Sequence, residues 1–230
     1  MKIKSREIKF KAGIFDLDGT ILDSMPVWLN LGADYLKSRN IEPPQNLREI
    51  LKPMSLAQAA EYFRKKFGIT ETDSEIIDQV NKMLEHAYFN TVKEKPGIIK
   101  FLENLRAAGV KMCIATATDK YLVEAALKRL KLTDYFDFII TCKCVGAGKD
   151  SPVIYFEALK KLGAKIHEAI VFEDALHAIE TAKKAGFIVA GVYDLSAQED
   201  LEEIKNLCDY FIEDFNQLTL DDLGVYGNSY

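Results

Sequence analysis

Five short apolar runs, spaced by helical stretches, constrain this chain more than any other feature. They are 12–15, 111–115, 138–141, 169–172 and 187–192. Between and around the last four lie segments with apolar residues at helical spacing: 98–108, 121–130, 152–163 and one ending at Gly186. Gly109, Gly163 and Gly186 fall where those helices must stop, the place where a left-handed residue is wanted. Strands alternating with helices of this length predict a parallel sheet with helices on both faces, a Rossmann-like α/β core.

Residues 23–92 break the alternation. Pro26 suits a first helical turn. Val27, Leu31 and Leu36, with Trp28 and Tyr35, then make one apolar stripe. After Pro43-Pro44 a short helical segment, 47–51, is expected. Ser55-Leu56-Ala57-Gln58 and Thr72-Asp73-Ser74-Glu75 read as capping boxes. The helices they open carry Ala59, Ala60, Phe63 and Phe67, and Ile76, Val80, Met83 and Leu84. No strand pattern occurs in this block. Because the first strand belongs to the sheet, the block reads as an all-helical insertion at 23–92, within a core made of 1–22 and 93–230.

The first apolar run empties into Asp16-Leu17-Asp18-Gly19-Thr20. Positions i and i+2 of a strand share a face, so Asp16 and Asp18 are expected to point to one place. Paired carboxylates repel, and a hard divalent cation such as Mg2+ is their natural partner. Ligands of open α/β sheets bind beyond the carboxyl ends of the strands. Thr116, Lys149 and Glu173-Asp174 follow the ends of the second, third and fourth runs, so they are expected to meet the aspartates there. Lys149 supplies positive charge, Thr116 a hydroxyl and the Ala117 backbone an N–H, all suited to phosphate oxygens.

Composition narrows the alternatives. The 230 residues carry a net charge of −5, without the clustered basic surface that nucleic acid requires as a main partner. No apolar stretch is long enough to span a bilayer, and the N-terminal residues lack the apolar segment of a signal peptide. A cytoplasmic location follows as the expectation. The cysteines, Cys113, Cys142, Cys144 and Cys208, make no paired metal-binding motif and read as reduced thiols. Gly148-Lys149 does not complete a phosphate-binding P-loop, because Lys143 and Asp150 occupy two of its required positions.

The chain resembles the haloacid dehalogenase superfamily of phosphotransferases over nearly its whole length. Asp16-Leu17-Asp18-Gly19-Thr20 matches the first motif, Thr116 the second, Lys149 the third and Glu173-Asp174 the fourth. The subgroup it most resembles contains beta-phosphoglucomutase and phosphoglycolate phosphatase-like hydrolases, in which the helical insert is a cap. The resemblance implies that Asp16 is the nucleophile forming an aspartyl-phosphate and that Asp18 is the acid and base. It implies that Thr116, Ala117 and Lys149 hold phosphate. Mg2+ would be held by Asp16, the Asp18 carbonyl, Asp174 and, directly or indirectly, Glu173. A small phosphorylated metabolite is the implied substrate. Its identity would be set by the cap, where Trp28, Arg48, Lys52 and Met54 are the candidates.

The chain departs from the family pattern in several places. Asp150 replaces the proline that often follows the motif lysine, and Ala175 and Ala178 stand where Ser and Gly are common. Trp28 and Leu56 stand where the mutases carry a histidine and a sugar-phosphate arginine, which favours a hydrolase over a mutase. Within the superfamily, Asp18 argues against haloacid as substrate. A receiver-type phospho-acceptor domain, the reading from another class, lacks both the insert and an equivalent of Asp18. Oligomeric state is not legible.

Overall fold

The computed structural model describes residues 10–51, 54 and 56–223, without the side chains of Leu56 and Ala57. By contact density the chain divides into two compact units. One joins the segment up to Asp23 to the segment from Lys93 onward, and the other is Ser24–Val92.

The first unit contains the described strands: β1 (Ala12–Phe15), β2 (Leu22–Asp23), β3 (Lys93–Glu94), β4 (Lys111–Thr116), β5 (Phe138–Thr141), β6 (Ala169–Glu173), β7 (Ile188–Val192) and β8 (Tyr210–Ile212). Six of them form one sheet in the order β5-β4-β1-β6-β7-β8. Every neighbouring pair in it is parallel. β1 sits between β4 and β6 and is buried at all four residues. A strand covered on both faces has no polar side to present, which explains its unbroken apolar run.

The two faces have different cores. Ile14 and Val171 join Ile154, Ala158 and Ile179 from the helices Val153–Leu162 and Leu176–Lys184. On the other face Phe15 stacks on Phe172 with ring centroids 4.1 Å apart, and Phe101 of helix Ile98–Ala107 meets both rings edge-on. The expected α/β sheet is thus present. It extends one strand further than the sequence reading, because β8 is a three-residue run too short to show a period. β2 and β3 escaped for the same reason. They pair antiparallel, Leu22 with Glu94 and Asp23 with Lys93, and bring together the two chain segments that bracket the inserted block.

The second unit is helical among its described residues: Met25–Lys37, Leu47–Leu51, Leu56–Phe67 and Asp73–His86, followed by one π-helical turn, Ala87–Thr91. Leu31, Leu36, Phe63, Val80 and Leu84 are buried, and Tyr35 stacks on Phe63 at 5.3 Å. The Thr72–Glu75 capping box forms reciprocally: the Glu75 N–H donates to the Thr72 hydroxyl, and the Thr72 N–H donates to the Glu75 carboxylate. Ser55, the head of the other expected box, lies outside the described residues.

Candidate active site

The sheet grows from β1 through β4 to β5 on one side, and the chain then crosses to build β6, β7 and β8 on the other. The carboxyl end of β1 is therefore the switch point, where neighbouring connections leave in opposite directions and open a crevice. Asp16 stands there. Its N–H donates to the Phe172 carbonyl at 2.9 Å, carrying the β1–β6 ladder one residue beyond the strand. Phe15 is the register partner of Phe172, so Asp16 and Glu173 form the next rung. Both then share the face of Ile14 and Val171, towards helix Val153–Leu162.

Lys149, from the loop after β5, enters this rung. Its ammonium donates to Asp16 Oδ1 and, at 2.5 Å, to Glu173 Oε1. Tyr155 of the same helix donates its hydroxyl to Glu173 Oε1 at 2.9 Å. Asp174 completes the group and accepts from the Thr20 hydroxyl at 3.4 Å. Asp16, Lys149, Glu173 and Asp174 are all buried. Oxygen atoms of Asp16, Glu173 and Asp174 lie within 4.8 Å of one another.

Charge in this cluster does not balance, since one ammonium faces three carboxyl groups. Burial, reinforced by the negative charges of Glu173 and Asp18, outweighs Lys149 and pushes the Asp16 carboxyl up to about 8. Burial and the charges of Asp16 and Glu173 likewise hold the Asp174 carboxyl well above the carboxylate range. Burial alone would lower the Lys149 ammonium, but the negative charges of Asp16 and Glu173 reverse this and hold it above the usual lysine value. Glu173 Oε2 is buried and accepts no hydrogen bond from the described residues. Hard oxygen donors in excess of cation, with one donor atom still orphaned, fit a divalent metal such as Mg2+.

Asp18 reaches its place differently from the sequence expectation. β1 ends at Phe15, so strand alternation does not fix Asp18 beside Asp16. A turn does. Gly19, at φ 81°, donates its N–H to the Leu22 carbonyl at 2.9 Å, and the Leu22 N–H returns to the Leu17 carbonyl at 2.8 Å. Only glycine takes such a φ without strain. Asp18 then accepts a hydrogen bond of 2.5 Å from the Thr118 hydroxyl. Thr116, buried at the end of β4, accepts from the Thr118 N–H at 3.0 Å, and Ala117 between them is exposed.

The structure thus brings Asp16, Lys149 and Glu173 into contact, gathers Asp174 beside them and ties Asp18 to the Thr116–Thr118 turn. The sequence reading missed Thr20, Thr118 and Tyr155. Thr20 was present in the first motif and Thr118 in Thr116-Ala117-Thr118. Tyr155 carries no local signal, since it looks like any apolar helix residue. In the helical unit, Trp28 and Met54 line a common cavity. Arg48 is exposed on its short helix. Lys52 lies outside the described residues.

Fold and site together define an α/β enzyme with a carboxylate–lysine centre at the topological switch point. The chain belongs to the haloacid dehalogenase-like hydrolases: the family model matches residues 13–192. A phosphorylated carbohydrates phosphatase of Thermotoga maritima is 26% identical over 176 residues, covering 76% of this chain and 82% of the relative. Pyrophosphatase PpaX of Bacillus cereus is 28% identical over 200 residues, covering 86% and 90%. In fold, the crystal structure of beta-phosphoglucomutase from Clostridium difficile matches with a TM-score of 0.72 at 23% identity, over 93% of this chain and 95% of that one. The chain is an enzyme and stands with the phosphatases of this family. No helix among the described residues is long and apolar enough to cross a membrane.

Proposed function

We propose that this protein is a Mg2+-dependent phosphatase that hydrolyses a small phosphorylated metabolite through an aspartyl-phosphate on Asp16. The observation that carries the reading is the buried excess of carboxylate over ammonium around Asp16, in a chain of this family. Asp16, Asp174, the Asp18 carbonyl and, directly or through a bridging group, Glu173 are the residues that would hold the metal. When bound, the metal supplies the positive charge that keeps these carboxylates ionised and screens the phosphate from them.

Asp16 attacks phosphorus through a carboxylate oxygen, and the bond to the ester oxygen breaks as Asp18 gives that oxygen its proton. Water then attacks the phosphorus of the aspartyl-phosphate, Asp18 takes the water proton, and Asp16 leaves as a carboxylate. Thr118 orients Asp18 throughout by its short hydrogen bond. Lys149, the Thr116 hydroxyl and the Ala117 N–H hold the phosphate oxygens, with Lys149 exchanging part of its present contact with Asp16 for them. Residues 24–92 act as the cap that selects the ester. The names of the relatives, a carbohydrate phosphate phosphatase and a pyrophosphatase, support a small phosphorylated substrate.

The test is phosphate release from sugar phosphates, phosphoglycolate, nucleotides, pyrophosphate and p-nitrophenyl phosphate, with and without Mg2+, beside Asp16→Asn. Release that needs both the metal and Asp16 is expected. Sugar-phosphate isomerisation without release would replace the phosphatase by a mutase. A stable phospho-protein without turnover would replace the enzyme by a phospho-acceptor.

A further inference from the structure

Glu173 brings two oxygen atoms to the cluster, and their surroundings differ. Oε1 accepts from the Lys149 ammonium at 2.5 Å and from the Tyr155 hydroxyl at 2.9 Å. Oε2 is buried and accepts nothing from the described residues. An ionised carboxylate has about four lone-pair sites, two on each oxygen. Both sites of Oε1 are therefore taken, and those of Oε2 are open.

Of the two donors on Oε1, Tyr155 is the one held in place. Tyr155 is 1% exposed in helix Val153–Leu162, and its ring packs against Phe187 with centroids 6.0 Å apart. A ring in a close-packed interior does not turn away without displacing its neighbours. Lys149 ends a flexible stem and also donates to Asp16, so it is free to turn towards a phosphate. The Glu173 backbone is fixed as well, because β6 lies in the ladder between β1 and β7. When Lys149 turns, the Tyr155 hydroxyl still occupies Oε1.

This matters for the choice of cation. A metal that chelates a carboxylate needs a lone pair from each oxygen. Ca2+ takes carboxylates in that two-oxygen mode, within a flexible shell of about six to eight ligands. Mg2+ is smaller, demands near-octahedral geometry and takes few protein oxygens. A carboxylate with one oxygen already saturated suits the second ion and denies the first its preferred mode.

We propose that Tyr155 is a positioning residue that keeps Glu173 a one-oxygen donor, through Oε2, and so holds the metal site to Mg2+ against Ca2+. The inference rests on the reading of this cluster as a metal site and adds what selects the ion.

Tyr155→Phe removes the hydroxyl and keeps the ring. Mg2+ and Ca2+ would each be titrated calorimetrically into the whole wild-type protein and into the variant. Losing a donor also makes Glu173 more basic, but that acts on both cations alike, so the ratio of the two affinities is the readout. The Mg2+-to-Ca2+ affinity ratio should fall about tenfold, about 1.4 kcal/mol, the order of one hydrogen bond to a charged group. A merely structural role would weaken both cations together, and an unchanged or higher ratio would overturn the proposal. A crystal structure of the wild type with Mn2+, located by its anomalous scattering, needs no variant and decides alone if Tyr155→Phe fails to fold. Contact between Glu173 and the ion through Oε2 alone is expected, whereas contact through Oε1, through both oxygens or through neither overturns the role. A wild type that binds no divalent cation overturns this role and the metal-site reading together. If the ratio falls as expected but the wild type releases phosphate from no ester, the phosphatase alone is refuted.

Discussion

Asp16 needs its negative charge to attack phosphorus, yet its surroundings oppose that charge. It is buried, Glu173 and Asp18 repel it, and Lys149 alone answers them. Asp16→Asn keeps the volume and removes the nucleophile. Turnover should fall by at least about 10³, or about 4 kcal/mol of barrier, with the circular dichroism spectrum unchanged. Thr118→Val removes the hydroxyl held at 2.5 Å to Asp18 and leaves that carboxylate misdirected. A loss of about tenfold in kcat is expected, the worth of one hydrogen bond to a charged group, with KM nearly constant.

The same crowding gives a pH dependence with a definite sign. The Asp16 carboxyl moves from 3.8 to about 8 on folding. Between those values the folded state keeps a proton that the unfolded state has released, so stability is greatest below the lower value and is lost as pH rises through the upper one. Asp174 shifts in the same direction. In EDTA, the melting temperature should therefore fall from about pH 6 to about pH 8. Mg2+ should raise it more at about pH 8, because ligating carboxylates must be ionised. Calorimetric scans at the two pH values, with and without metal, check both signs.

At the scale of elements, capping and turns matter more than propensity. The reciprocal Thr72–Glu75 box satisfies donors that helix Asp73–His86 would otherwise leave open. Thr72→Ala should lower stability by about 1 kcal/mol, read as a shifted denaturant midpoint with an unchanged slope. This box was legible because both partners lie within four residues of each other. β8 and the β2–β3 pair were not legible. Two or three residues form a strand there because a neighbouring strand offers its open edge, and no local pattern records that offer. Asp18 teaches the same lesson. Its spacing from Asp16 suggested a shared strand face, whereas the turn at Gly19 and the hydroxyl of Thr118, a hundred residues away, set its position.

At the scale of the molecule, the six-stranded sheet takes nothing from residues 24–92. Asp23 and Lys93 face each other across an antiparallel pair, so a short turn can replace everything between them. Such a chain should fold and should still bind Mg2+, seen as metal-dependent protection against melting. Its hydrolysis should be slower and should discriminate less among esters.

The sequence by itself determined the α/β class, the inserted helical block and the identities of Asp16, Asp18, Thr116, Lys149 and Glu173-Asp174 as candidates. These are properties of pattern and spacing, which short stretches of chain carry whole. Only the tertiary structure decided that Asp16 and Glu173 share a rung, that Lys149 lies between them, and that Tyr155 and Thr20 complete the group. Register and burial arise when segments far apart in sequence exclude water together, and no single segment holds that information.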